Sequence, residues 1–298
     1  MIFIAFLNPI LHALSNILDN YLTNKLFDRK TTLIFYATLL NIFFLPFLFI
    51  FTGLPQLPTS GSIWLFIGLA VINVTYLYPY YKALEQNDTS SVIALFSLGQ
   101  VFVPILAYFI VGEVLAPLQY FGVALIIFAS IFLSIQKGHK FKMNKSLWWM
   151  LGCAFILSFE YILYKLIFIS TSWITGFTWP VVFSFIIALM LLVVTSTRKD
   201  IINNWSVFLK KFHVFGTEEL TTFLGIAAST YAVSFAPVTI VKPIMSTEPI
   251  FVLLYAIVFS RFFPGVFREE IDWQSIKKKI FLFIVIGIGL TLVLGPDL

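Results

Sequence analysis

Four of the charged residues that lie within apolar stretches of this chain are the first candidates for chemistry. Glu160 falls in the middle of residues 146–170, Glu248 falls about ten residues into 238–261, and Lys165 and Lys242 stand apart from every other lysine and arginine. A charge at the centre of a membrane-spanning helix costs about 2.5–3.5 kcal/mol on insertion scales, so such groups are held against protein or water. A carboxyl group there can bind a solute or exchange a proton, because burial favours the neutral acid and a nearby cation favours the carboxylate. The plainer alternatives are a neutral Glu bonded to a neighbouring helix and a lysine whose stem reaches the interface. Pro243 and Pro249 add a further feature: each lacks the N–H that would bond the carbonyl four residues earlier, which frees those of Thr239 and Met245.

Other polar groups recur at helical spacing. His12, Ser15, Asn16 and Asp19 share one face of the first apolar stretch, a stripe that lipid disfavours. Glu218 and Glu219 open the eighth stretch beside Lys210 and Lys211. As neighbours they point about 100° apart on a helix, so one of them is expected to face the interior, and a helix N-terminal pair is the plainer reading. Tyr76, Tyr78, Tyr80 and Tyr81 cluster around Pro79, either as an interfacial aromatic belt or, for Tyr78 and Tyr81 among them, as ring walls of a cavity. No phosphate loop, metal-spaced His–Glu pair or nucleophile elbow occurs, and His12, His139 and His213 are scattered. No catalytic residue, metal or cofactor is expected. Lone Cys153 is a packing residue.

The elements that must carry these groups follow from composition. With 60% hydrophobic and 11% charged residues, the chain departs far from soluble domains. Apolar stretches long enough for a ~30 Å hydrocarbon core occur at about 2–24, 31–52, 62–84, 89–111, 116–136, 146–170, 173–196, 214–236, 238–261 and 277–295. Lipid leaves each backbone to satisfy itself, which predicts ten transmembrane helices in an all-α protein. The first stretch lacks a cationic start and carries polar residues, which argues for a retained helix.

Of the 19 lysines and arginines, 17 fall in alternate connections or at their edges, from Lys25, Arg29 and Lys30 to Lys277, Lys278 and Lys279. The positive-inside rule places those connections in the cytoplasm and both termini outside. The basic clusters read as orientation signals and lipid-headgroup contacts, which sets nucleic acid aside as a partner. Displacing the chain by 149 residues lays Ala83 on Ala232, Ser97 on Ser246, Phe102 on Phe251, Val103 on Val252 and Ala107 on Ala256. Five helices per half make the second half enter the membrane upside down. The expected organisation is thus residues 1–145 and 146–298 as two inverted five-helix repeats in one bundle, with a site near the bilayer midplane.

In the first half Ala83-Leu84, Ser90 to Leu95, Gly112-Glu113 and Gln119 to Gly122, and in the second Ser246-Thr247-Glu248-Pro249-Ile250-Phe251, resemble the drug/metabolite transporter superfamily, in its ten-helix EamA-type branch. The resemblance implies a secondary carrier of small metabolites working by alternating access in the inner (plasma) membrane. The candidate substrate-binding or coupling residues are Glu160, Glu248, Lys242, Lys165, His12, Asn16, Tyr78, Tyr81, Glu218 and Glu219. Expected partners are a small-molecule substrate, membrane lipid and, as coupling ion, protons, in a monomer or homodimer. A lipid or lipid-linked-sugar translocase is the alternative within transport. A non-transporting membrane enzyme or assembly subunit is the alternative outside it, although Gly225 with Ser229 and Gly287 with Thr291 offer few small-residue seams.

Overall fold

The computed structural model describes residues 2–27, 29–85, 92, 99–134, 145–259 and 273–294, and among these no strand occurs. A 3₁₀ turn at Ile2–Phe6 leads into α1 (Leu7–Lys25), followed by α2 (Lys30–Thr52), α3 (Ile63–Thr75), α4 (Leu77–Leu84) and α5 (Gly99–Leu106). After a π turn at Ala107–Val111 come α6 (Pro117–Ser134), α7 (Lys145–Ser170), α8 (Trp173–Met190) and α9 (Thr195–Lys210). The chain continues through α10 (Phe212–Phe235), α11 (Val238–Ile244), a 3₁₀ turn at Met245–Thr247, α12 (Glu248–Phe259) and α13 (Trp273–Leu294). Five stretches, 30–52, 63–84, 148–170, 173–193 and 238–255, are long and apolar enough to cross a membrane. Shorter apolar helices lie at 102–111, 117–129 and 280–293. Much of the fourth expected stretch, the basic loop at 137–142 and the connection from Arg261 to Arg268 lie outside the described residues.

Prolines divide several stretches. Pro79 has no N–H for the Thr75 carbonyl, and the helix breaks there between α3 and α4. Pro243 and Pro249 likewise flank the break between α11 and α12, where the N–H of Glu248 reaches the Met245 carbonyl that Pro249 leaves open. One expectation needs correction. The connection between the stretches at 173–196 and 214–236, read as a basic loop, is largely amphipathic α9 (Thr195–Lys210), which buries Thr197, Ile201 and Phe208 and packs on α2. Tyr36 of α2 fastens it, stacking on Phe208 with ring centroids 4.3 Å apart and donating its hydroxyl proton to the Ile201 carbonyl at 2.6 Å.

Helices of the first half pack chiefly on helices of the second: α1 on α10 and α12, α2 and α3 on α8, α4 and α5 on α7, and α6 on α13. Large side chains such as Phe47, Phe51, Trp64, Phe109 and Phe281 point outward over this bundle. An exposed apolar surface of that extent suits lipid rather than water. At the α6–α13 seam, a Cβ on Gly122 would stand 2.7 Å from the Gly289 carbonyl, and one on Gly289 would stand 2.8 Å from the Gly122 carbonyl. The two backbones touch because neither residue has a side chain. Gly225 serves the α1–α10 seam in the same way, where a Cβ would meet the His12 ring at 2.6 Å. The Gly225–Ser229 pair is therefore an internal seam.

At the end carrying Lys25 and Lys30, Lys30 is buried, donates to the Thr23 carbonyl at 3.0 Å and pairs with Glu85 at 2.8 Å. Lys82 meets the same carboxylate at 2.9 Å. One acid thus ties together the ends of α1, α2 and α4. Partial burial pushes the Glu85 carboxyl upward, but the hydrogen bonds and charges of Lys30 and Lys82 outweigh it and hold the group below its ordinary value.

Two measurements check this account. Gly122→Val should force α6 from α13 and lower the melting temperature in detergent, by the equivalent of about 1–3 kcal/mol of overpacking strain. Gly287→Ala on the same helix, where a Cβ meets nothing within 4 Å, should cost nothing. Because the Glu85 carboxyl is held low in the folded state, its stabilisation is complete above its ordinary value of 4.5 and is lost as pH falls through and below it. Thermal melts from pH 7 to 3 should therefore show an acid-sensitive component that Glu85→Gln removes.

Candidate functional site

A cavity of ≈ 190 Å³ lies between the halves of the bundle, lined from α1, α2, α3, α4, α7, α8, α10, α11 and α12. Its polar wall begins with α1. Asn8, His12, Ser15, Asn16 and Asp19 succeed one another at helical spacing and all line it. Their partners come from across the bundle. The Asn8 amide donates to the Ser229 hydroxyl at 3.1 Å, and the Ser15 hydroxyl lies 2.9 Å from Glu218 Oε1 and 2.5 Å from the Thr222 hydroxyl. Asn16 joins two helices at once: its Nδ2 donates to Glu248 Oε1 on α12, and its Oδ1 accepts from Tyr80 on α4 at 2.6 Å. The Tyr80 hydroxyl also lies 2.9 Å from Asp19 Oδ2.

Lys242 on α11 and Glu160 on α7 form the opposite wall with Glu248. The Lys242 ammonium sits 3.8 Å from the centroid of the Tyr161 ring and interacts electrostatically with both carboxyls. Tyr161 in turn shares a 2.9 Å hydrogen bond with the Ser229 hydroxyl. Glu218 and Glu219 both line the cavity and are buried, and Glu219 Oε2 accepts from the Asn41 amide at 2.8 Å. The expectation that one of the two faces inward is exceeded, since α10 is packed by α1 on one side and by α2 on the other.

Eight of the ten residues singled out from the sequence therefore meet at one cavity: Glu160, Glu248, Lys242, His12, Asn16, Tyr81, Glu218 and Glu219. Two are placed elsewhere. Lys165 donates to the carbonyls of Val233 and Ala236 at 3.3 and 3.0 Å, closing the C-terminus of α10, where the helix dipole favours a cation. Tyr78 points outward and packs edge-on against Trp149, as an interfacial aromatic does. Sequence reasoning passed over Asn41, Asn73, Thr222, Tyr161 and Tyr164, which also line the space. For Asn41 and Asn73 the signal was present, an amide alone in an apolar stretch; for the tyrosines it was not.

The turn after the π segment positions Lys242. Gly112 takes a left-handed φ of 74°, which a residue without a side chain adopts without strain. Glu113 follows, and its carboxylate accepts the N–H groups of Val238 and Thr239 at 3.0 and 3.1 Å and the Thr239 hydroxyl at 2.8 Å. That carboxylate caps the N-terminus of α11 from outside it, and the helix it anchors carries Lys242 into the cavity.

Residues 1–135 match the EamA-like transporter family. The sequence resemblance and the family match agree over the first half, and the apolar helices make this a multi-pass membrane protein. One solved crystal structure is similar over 99% of this chain and 98% of its own, with a TM-score of 0.66 at 11% identity, a likeness of fold. No curated protein matches the sequence.

Asn16 gives the test of this network. Asn16→Leu removes the amide that joins Tyr80 to Glu248: the Tyr80 hydroxyl keeps Asp19, whereas Glu248 Oε1 loses the amide that donates to it, and an interior polar atom so left costs about 1–3 kcal/mol. The melting temperature should fall accordingly, whereas Tyr78→Leu, at the outer surface, should leave it nearly unchanged.

Proposed function

We propose that the chain is a secondary active transporter of a small polar or amphipathic metabolite, working by alternating access between two inverted five-helix halves. The observation that carries this reading is the cavity itself: charged, amide and hydroxyl groups from α1 and α4 on one side and α7, α10, α11 and α12 on the other converge within a bundle whose outer surface is apolar. Polar groups concentrated at the seam between two halves suit a solute site that opens as those halves rock.

The helix pairings support the repeat. If α3–α4, α5 and α11–α12 count as pieces of the third, fourth and ninth stretches, a shift of five stretches exchanges one pairing for another. The first with the eighth becomes the sixth with the third, and the first with the ninth becomes the sixth with the fourth. The second with the eighth becomes the seventh with the third, and the fifth with the tenth returns to itself. A bundle built from two like halves related by a twofold axis has that property. The 149-residue displacement agrees in register, laying α10 (Phe212–Phe235) on 63–86, where α3 and α4 run from Ile63 to Leu84. The basic connections favour the cytoplasmic side of an inner membrane, with the termini on the other.

Proton coupling is the finer part of the proposal. Glu160 and Glu248 both interact with Lys242, so the charge on any one of the three alters the others. Purified protein in liposomes should carry solute in response to an imposed pH gradient. Glu160→Gln and Glu248→Gln should each abolish the pH-driven part while leaving counterflow exchange measurable. Unchanged pH-driven flux in both variants would refute coupling through these groups, and the absence of flux of any metabolite from a broad pool would refute transport.

A further inference from the structure

The charges lining the cavity do not balance. Five carboxyl groups face it, from Asp19, Glu160, Glu218, Glu219 and Glu248, against one lysine, Lys242. That lysine belongs to one end, with Glu160, Glu248 and the Tyr161 ring. Asp19, Glu218 and Glu219 lie at the other end, toward Lys210 and Lys211, close enough to interact electrostatically with one another. Their hydrogen bonds come from neutral groups: the hydroxyls of Tyr80, Ser15 and Thr222 and the amide of Asn41. Among the described residues none of the three has a cationic partner within 4 Å.

Asp19 makes the deficit specific. Only 6% of the residue is exposed, the residue lines the cavity, and its buried Oδ1 has no hydrogen-bond partner. A buried carboxylate oxygen left in that condition is costly, and a cation brought by a ligand offsets the cost. The walls beside it are the rings of Tyr76, Tyr80 and Tyr81, whose faces attract ammonium and guanidinium groups. Among the described residues no three acidic, histidine or cysteine side chains converge as metal ligands do. Donors spread over a wider span fit a cation of several atoms.

We propose that Asp19, Glu218 and Glu219, with the rings of Tyr76, Tyr80 and Tyr81, form a subsite for the ammonium or guanidinium group of an organic cation. The solute therefore carries positive charge at the end that lies toward the basic loops. This deepens the transport reading and rests on it for the word solute; the binding site itself does not depend on transport.

Agmatine, which bears a guanidinium and an ammonium on a four-carbon chain, is a suitable probe, with 1,4-butanediol and glutarate as neutral and anionic controls. Titration calorimetry on the purified full-length protein should detect agmatine and neither control. Asp19→Asn and Glu219→Gln should each weaken agmatine about tenfold or more, the scale of one charge-assisted contact. Glu85→Gln, outside the cavity, should leave binding unchanged. Two variants guard against one failing to fold, with circular dichroism and melting as the check. Equal binding of butanediol or glutarate, no binding of agmatine, or agmatine binding undiminished in both folded variants would overturn the subsite. Agmatine bound but never carried into liposomes by a protein that moves no other solute would instead overturn transport and leave the subsite standing. Glutarate flux without agmatine binding would do the reverse.

Discussion

The polar face of α1 is the constraint from which the rest of the arrangement follows. A helix in lipid satisfies its own backbone but has nothing to offer its side chains, and α1 carries Asn8, His12, Ser15, Asn16 and Asp19 on one side. Their partners must come from other helices. Ser229, Glu218 and Thr222 on α10, Glu248 on α12 and Tyr80 on α4 supply partners to Asn8, Ser15 and Asn16. These bonds fix the rotation of α1 about its axis, because a turn of one residue would carry Asn8, Ser15 and Asn16 away from all of them. Gly225 then sets the distance, since only a residue without a Cβ leaves room for the His12 ring.

Dry and wet seams divide the remaining work. The α6–α13 contact is backbone on backbone at Gly122 and Gly289, flanked by Ile126 and Val293, with Gln119 reaching the Val293 carbonyl at 3.0 Å. The residues at these two glycines are apolar apart from the Gln119 amide. The seam around α1, α7 and α10 instead carries the charged groups and the open volume. The short motifs by which the chain resembles the EamA-like transporter family divide in the same way. Gly112-Glu113 and Gln119 to Gly122 build scaffold, whereas Glu248 enters the cavity.

Much of this was readable from residue order alone, for identifiable reasons. Apolar length marks a spanning helix because lipid thickness is a fixed ruler, so α2, α7 and α8 coincide closely with their expected stretches. The α1 stripe was readable because the spacing of 12, 15, 16 and 19 is a property of one helix. What depends on a second helix was not. Whether Glu218 and Glu219 both face inward depends on α10 having neighbours on two sides, and whether Lys165 enters the cavity depends on where α10 ends. Lys30 illustrates the same gap: counted by position it is one more loop cation, but its ammonium is buried between Thr23 and Glu85. Amphipathic α9 escaped because its apolar positions are few and are completed by Tyr36 of another helix.

The interrupted ninth stretch joins these strands of argument. Breaking it into α11 and α12 adds a second helix N-terminus, within the span, to the one at its start, and N–H groups at such an end favour negative charge. Both receive it: Glu113 caps α11, and Glu248 is the first residue of α12. Pro249 follows at a helical position that lacks a partner for its N–H in any case, so a proline there does no harm to α12 while preventing α11 from running on. A continuous helix would carry Lys242 and Glu248 on a single rigid rod, six residues and more than one turn apart. The break lets the two be aimed separately, the lysine over the Tyr161 ring and the carboxylate toward Asn16. The same break places a 3₁₀ turn, rather than unbroken α-helix, between the two groups.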